Sequence, residues 1–321
     1  MRLRHFTFGF LLCLVSLGVF ALPSMLQLVT EGRVDTAVPS LEEQVGRSPK
    51  DAAAYNLLCR AYFMMEEWDR GISNCERATS LDPQNSSYQL WLGRLYGEKA
   101  DRSSFISAPG LARKARTAFE RAVEVDPKNV EARVDLGEFY AEAPSFIGGG
   151  KDKARQQAEA LMPLNPAMGH WVLARVAEKD KDPAKAESEY RAEIAASQGG
   201  VRGWADLANF LLYAHRYQEM EDALAHAENA PIDHPESLMH AGNLLLRAQR
   251  DYPLAARLLR RYLANRICEE GPAFKAHALL GEVLVKQGDR QGAAEQFRAA
   301  LSLFGNYTRA KDDLNKLDHS S

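Results

Sequence analysis

Few residues of this 321-residue chain have the type and spacing that chemistry requires. Gly148-Gly149-Gly150-Lys151 has the outline of a phosphate cradle, in which glycine N–H groups surround the anion and a lysine answers its charge. Asp152 stands where that loop needs Ser or Thr, the earlier glycine is absent and no strand pattern precedes it, so phosphate binding is set aside. Gly71-Ile72-Ser73-Asn74-Cys75 begins like the sharp turn that exposes a nucleophilic serine, yet it lacks the closing glycine and lies in a helical pattern. Ser73 therefore reads as structural. No His-Glu-x-x-His occurs, and the eight histidines are scattered, with His170 and His277 on packing positions and His215 in a turn. The expectation is no catalytic residue, no metal site and no cofactor.

The elements that remain must therefore serve recognition. Forty Lys and Arg against 43 Asp and Glu leave a formal net charge of −3, without the cationic excess that phosphate neutralisation demands, so nucleic acid is not an expected partner. With 46% apolar and 26% charged residues, the balance is that of a packed globular chain. Arg2, Arg4 and His5 precede an apolar run from Phe6 to Phe20, followed by the small-x-small site Val19-Phe20-Ala21. Residues 1–21 read as an export signal, because the run of about 15 residues falls short of the roughly 20 that span a bilayer. The rival reading keeps residues 6–22 as a membrane anchor, continued by Met25, Leu26, Leu28 and Val29 despite Pro23. Either way the body of the chain is expected outside the cytoplasm, periplasmic or secreted, with or without attachment to the inner membrane.

Self-similarity decides the fold. Cys59 and Gly93, Tyr62 and Tyr96, and Pro49 and Pro83 are each 34 residues apart. Gly93 to Gly137, Tyr96 to Tyr140 and Pro83 to Pro127 are each 44, the mark of a ten-residue insertion; Ala174, Ala208 and Gly242 return to 34, and Gly281 follows after 39. Within each unit an apolar stripe flanks a small residue, as in Leu92-Gly93-x-x-Tyr96 and Leu280-Gly281-x-x-Leu284, which predicts a first helix that a second approaches closely. Ala115-x-x-x-Phe119-x-x-Ala122 and Ala293-x-x-x-Phe297-x-x-Ala300 mark that second helix, and Asp82-Pro83, Asp126-Pro127 and Asn165-Pro166 are expected to close the pairs.

In these residues the chain resembles the tetratricopeptide repeat family, over about Thr30 to Leu317. Trp204 alone keeps the family's opening tryptophan, and the unit from Ala167 to Gln198 is degenerate. The resemblance implies an all-α, right-handed superhelical solenoid of antiparallel helix pairs whose first helices line a concave side that commonly binds peptides or proteins. The expected organisation is a partial first repeat over residues 22–49, a repeat array over 50–306 with about seven repeats, and a C-terminal capping helix and tail over 307–321. The first helix of the partial repeat is expected from Leu22 to Thr30, so the apolar tail of the anchor reading can instead be core.

Cys59 and Cys75 lie eight residues either side of Glu67, where the hairpin turn should fall, so antiparallel packing sets them opposite each other. In an exported chain this favours a disulfide over two small buried thiols, whereas Cys268 is left over with no expected role. One helical turn from the packing stripe, the groove lining is expected to include Asn56, Arg60, Arg94, Glu138, Trp171, Arg175, Asn209, Tyr213, Asn243, Arg247 and Glu282. Such a ladder suits an extended peptide, since Asn can bond its backbone and Arg its carboxylates; the bland reading is a solvated helix face. The insertions near 98–109 and 143–150 each combine Ala-Pro with a Phe-Ile pair, Phe105-Ile106 and Phe146-Ile147. They form a candidate binding edge, unless these side chains fold back as local core. The preferred reading is a non-enzymatic extracytoplasmic scaffold for a protein or peptide; the alternative is a membrane-anchored assembly factor of a cell-envelope machine docking through the insertions.

Overall fold

A computed structural model describes residues 23–265 and 267–319; the expected signal at 1–21 lies outside them. The described residues are all-helical, as expected. Helices follow in antiparallel pairs. These are α1 (Met25–Thr30) with α2 (Val34–Arg47), α3 (Ala52–Met64) with α4 (Trp68–Leu81), α5 (Ser86–Asp101) with α6 (Ala108–Val125), and α7 (Val130–Glu142) with α8 (Lys151–Leu161). The degenerate unit still forms a regular pair, α9 (Pro166–Lys179) with α10 (Pro183–Ala196). Then come α11 (Val201–Tyr213) with α12 (Tyr217–Asn229), α13 (Glu236–Ala248) with α14 (Tyr252–Leu263), α15 (Ala273–Lys286) with α16 (Arg290–Leu303), and the cap α17 (Thr308–His319).

Side-chain caps start many of these helices. The carboxylates or amide oxygens of Asp51, Asn85, Asn129, Asn165, Asp182, Asp251 and Asp289 each accept from the backbone N–H three residues on, satisfying a donor that the helix leaves free. Asp82-Pro83 and Asp126-Pro127 follow α4 and α6, where the proline stops extension. Asn165-Pro166 does something else: α8 has already ended at Leu161, and the dipeptide caps and opens α9, because a first-turn proline gives up an N–H that has no intrahelical partner anyway.

Small residues fix how closely the helices of a pair approach. A Cβ on Gly93 would stand 2.5 Å from the Phe119 ring, and one on Gly281 would stand 2.5 Å from Phe297. Cys59 and Cys75 occupy the corresponding contact of the α3/α4 pair, both fully buried with Cα atoms 5.2 Å apart. Successive units are tied by a repeated bond. The hydroxyls of Tyr62, Tyr96 and Tyr140 donate to Glu42, Glu76 and Glu120 on the second helix of the unit before.

The core runs through the whole array, and Leu28 and Val29 of α1 belong to it. First helices touch one another along the chain, α1 on α3, α3 on α5, α5 on α7 and α7 on α9, then α11 on α13 and α13 on α15, while α11 is joined to the earlier run through α10. The superhelix curls far enough for its last turn to meet its first. Lys275 on α15 pairs with Glu66 at 2.7 Å, the N–H of Gly305 donates to Asp35 at 2.6 Å, and Gly32 lies against Pro272, Ala273 and Phe274. Among the described residues no helix is long and apolar enough to cross a membrane.

Candidate functional site

The wall of first helices divides into three stretches. In the N-terminal stretch, Arg60 on α3 and Arg94 on α5 both stand over the ring of Trp91, at 5.4 and 4.9 Å from its centroid. Neither guanidinium is free. Arg60 pairs with Glu269, which also accepts from the Thr30 hydroxyl at 3.3 Å, and Arg94 reaches Asp135 at 2.7 Å, Glu270 at 2.9 Å and Glu131 at 3.1 Å. Both Glu269 and Glu270 come from the loop joining α14 to α15 in the last turn. Asn56 is only 3% exposed, and its amide nitrogen has no partner.

In the middle stretch, carboxylates crowd. Arg175 pairs with Glu142 at 2.7 Å and with Glu178, and Trp171 is buried with the Arg202 guanidinium 5.1 Å from its ring centroid. Burial, then the charges of Asp135 and Glu142, push the Glu138 carboxyl up to about 7 against the pull of Arg175. Glu193 on α10 is fully buried, with Arg202 at 3.9 Å and neither carboxyl oxygen hydrogen-bonded; burial and the neighbouring Asp206 hold it well above the usual carboxylate range.

The C-terminal stretch differs. Asn209 and Asn243 are half-buried on α11 and α13, and Arg247 is exposed. Tyr213 is 66% exposed and accepts from the Arg247 guanidinium at 3.2 Å, one 34-residue period away. No carboxylate pairs with Arg247 among the described residues. Glu282, further along, is taken by Arg309.

The insertions are smaller as loops than their sequence spans. Residues 98–101 continue α5 and 108–109 begin α6, leaving Phe105 and Ile106 on the connecting loop, 91% and 88% exposed. In the other insertion Phe146 is 67% exposed, but Ile147 is buried and its carbonyl accepts from Arg116 of the preceding unit at 2.7 Å. A single short helical turn, Ser145–Ile147, points the two side chains in different directions. Cys268 is also engaged, lying 3.5 Å from a Glu236 oxygen and 3.7 Å from the Tyr262 hydroxyl; burial first, then Glu236 and Glu270, raise its thiol to about 12. Such a thiol is unreactive at neutral pH.

Sequence reasoning missed Glu269, Glu270 and Glu193. The first two had a signal in the spacing of 39 between Gly242 and Gly281, five residues beyond the period, which the structure places in the α14–α15 loop. Glu193 had none, because its burial depends on Arg202 and Asp206 of the next unit.

Comparison with known proteins agrees with this architecture. A tetratricopeptide repeat model matches residues 110–146 and 241–308, and a second model of the same description matches residues 28–95, together more than half of the chain. Cellulose synthase operon protein C of Escherichia coli K12 is 33% identical over 66 residues, 21% of this chain; the chain thus spans only 6% of that relative's length. Yeast Tom70 superposes with a TM-score of 0.53 at 14% identity, over 89% of this chain and 58% of that one. A thermophilic repeat protein of Thermus thermophilus gives 0.48 at 18% identity, over 59% and 95%. The repeated helix pairs, the glycine contacts between them and the family-model matches place the chain in the tetratricopeptide repeat family.

Proposed function

We propose that this protein is an extracytoplasmic scaffold, without a catalytic step of its own, that holds a protein or an extended peptide in the C-terminal stretch of its groove. Tetratricopeptide repeat proteins generally bind protein partners, which gives the class of ligand. The observation that carries the choice of stretch is Tyr213, a large side chain left 66% exposed and joined to an Arg247 that lacks a carboxylate. Tyr and Arg are the types that most often dominate binding energy at interfaces. Asn209 and Asn243 flank the pair and offer both donor and acceptor to an extended backbone. Tyr213→Ala with Arg247→Ala should weaken capture of the native partner by at least tenfold while leaving the melting temperature within a degree or two. Unchanged capture would move the site elsewhere.

Export is supported by the charged and apolar layout of residues 1–21 and by the approach of Cys59 to Cys75, which suits a disulfide in an oxidising compartment. The intact mass of the non-reduced protein should lie about two daltons below the reduced one. Alkylation of both cysteines without reductant would sink that part of the reading.

A second reading rests on Phe105, Ile106 and Phe146, three large apolar side chains exposed on insertions of adjacent units. In it an uncleaved N-terminal run anchors the array, and the insertion tips dock on a cell-envelope machine. Release by osmotic shock favours the groove scaffold, whereas retention in membranes against high salt favours this alternative.

A further inference from the structure

The polar contacts between the first and last turns are few, and the most buried of them do not resemble the apolar packing between consecutive units. Glu269 and Glu270 enter the groove from a loop, with Glu269 only 6% exposed as a residue, and meet Arg60 and Arg94 over the Trp91 ring. The loop's own anchor lies on the other side, where Tyr262 donates its hydroxyl to the Gly271 carbonyl and accepts from the N–H of Cys268. Two neighbouring carboxylates are thus presented on a braced turn to the only two groove positions that follow a small packing residue with Arg in adjacent units. This is the geometry of a ligand held in its site, supplied by the same chain.

Buried ion pairs are poorly suited to permanent closure. The attraction between such charges roughly balances the loss of their hydration, so a closed and an open arrangement can lie close in free energy. The fit here is also incomplete: the Nε of Arg60 is buried with no hydrogen-bond partner among the described residues, and the Glu270 side chain stays 37% exposed beside Arg94. Opening also gives up the Lys275–Glu66 and Gly305–Asp35 contacts and the packing of Gly32 on Pro272 and Phe274, but it leaves every apolar contact between consecutive units in place, because repeats depend only on their neighbours.

We propose that the turn carrying Glu269 and Glu270 is a releasable plug: these two carboxylates occupy the Arg60–Trp91–Arg94 stretch and clip the last turn of the superhelix onto the first. While the clip is closed, a partner reaches the C-terminal stretch but not the N-terminal one; release opens both the ring and the cationic site. The proposal goes beyond the groove scaffold and does not depend on which partner that scaffold holds.

The test is a distance measurement by pulsed dipolar spectroscopy on the full mature chain, with spin labels at Thr36 on α2 and Ser302 on α16 in a Cys268→Ser background. The parent should give one narrow short distribution, and Glu269→Gln with Glu270→Gln should add a longer, broad one holding at least half of the molecules. Exchanging the charges, Arg60→Glu with Glu269→Arg, should return most of the short population. Circular dichroism checks that each variant stays helical. A short distribution that persists in the double Gln variant overturns the proposal, as does a parent that is already broad. If the Gln variant loses its helices, the charge exchange alone decides: failure to recover the short distance in a helical protein overturns the clip.

Discussion

The position after the small packing residue is Arg60 on α3 and Arg94 on α5 but Asn209 on α11 and Asn243 on α13, with Glu138, Arg175 and Glu282 at that position of α7, α9 and α15. The first four share one repeat position, yet their surroundings diverge. Arg60 and Arg94 are drawn under carboxylates from α7 and from the last turn, because a guanidinium on a crowded wall needs a counter-charge. The amides carry no charge and need none, so the wall beside them stays open, with Tyr213 and Arg247 standing in it. In the proposed reading, one repeat position thus serves closure in one region and recognition in another.

The largest effect is expected where the comparison is broken at its charged end. Arg94→Ala strips the counter-charge from Asp135 and Glu270 and should lower stability by about 3 kcal/mol, the low end for breaking a buried pair because Glu270 is partly exposed. Arg247→Ala at the open end should change it by no more than about 0.5 kcal/mol. Urea titrations followed by circular dichroism check both, and equal effects would erase the distinction.

Next in size is the cysteine pair, which lies beneath the charged stretch only. Under the proposed disulfide, replacing Cys59 and Cys75 by Ser should cost about 3 kcal/mol through the loss of a short cross-linked loop. In hydrogen exchange the loss should be concentrated in α3 and α4, leaving α11 to α14 unchanged. Uniform loosening would argue against a local cross-link.

A pH dependence of comparable size sharpens the boundary between the two regions. Glu138, raised to about 7, keeps a proton in the folded chain that the unfolded chain gives up near 4.5. The folded state therefore binds more protons between those values, and stability should fall as pH rises from about 4.5 to 7, by up to about 3 kcal/mol, then level off. Glu138→Gln should remove that slope; a slope that survives would assign the proton to another group.

Much of the fold was legible because a repeat states its packing many times over. Gly93 and Gly281 announced close helix approach, Tyr62, Tyr96 and Tyr140 kept the period across an insertion, and the Cys59 and Cys75 spacing gave their juxtaposition. The site was less legible, since a helical wheel says which way a residue faces within its own unit but not what curls round to meet it. Arg60 reads as a groove residue in sequence, and its occupation by Glu269 arises from a contact 209 positions away. Ile147 and Phe146 are neighbours in sequence, yet one short turn and the Arg116 bond bury the first and expose the second. Asn165-Pro166 opens a helix that it was expected to follow, because the same dipeptide suits either place.

The most direct test of the open stretch is photo-crosslinking in cells from a probe at Asn209, with Gln218 on the exposed side of α12 as control and Tyr213→Ala with Arg247→Ala as a second control. The expected result is a polypeptide captured from Asn209, absent from Gln218 and lost in the double variant. Equal capture from both probes, or capture indifferent to Tyr213 and Arg247, would contradict the groove as the binding surface.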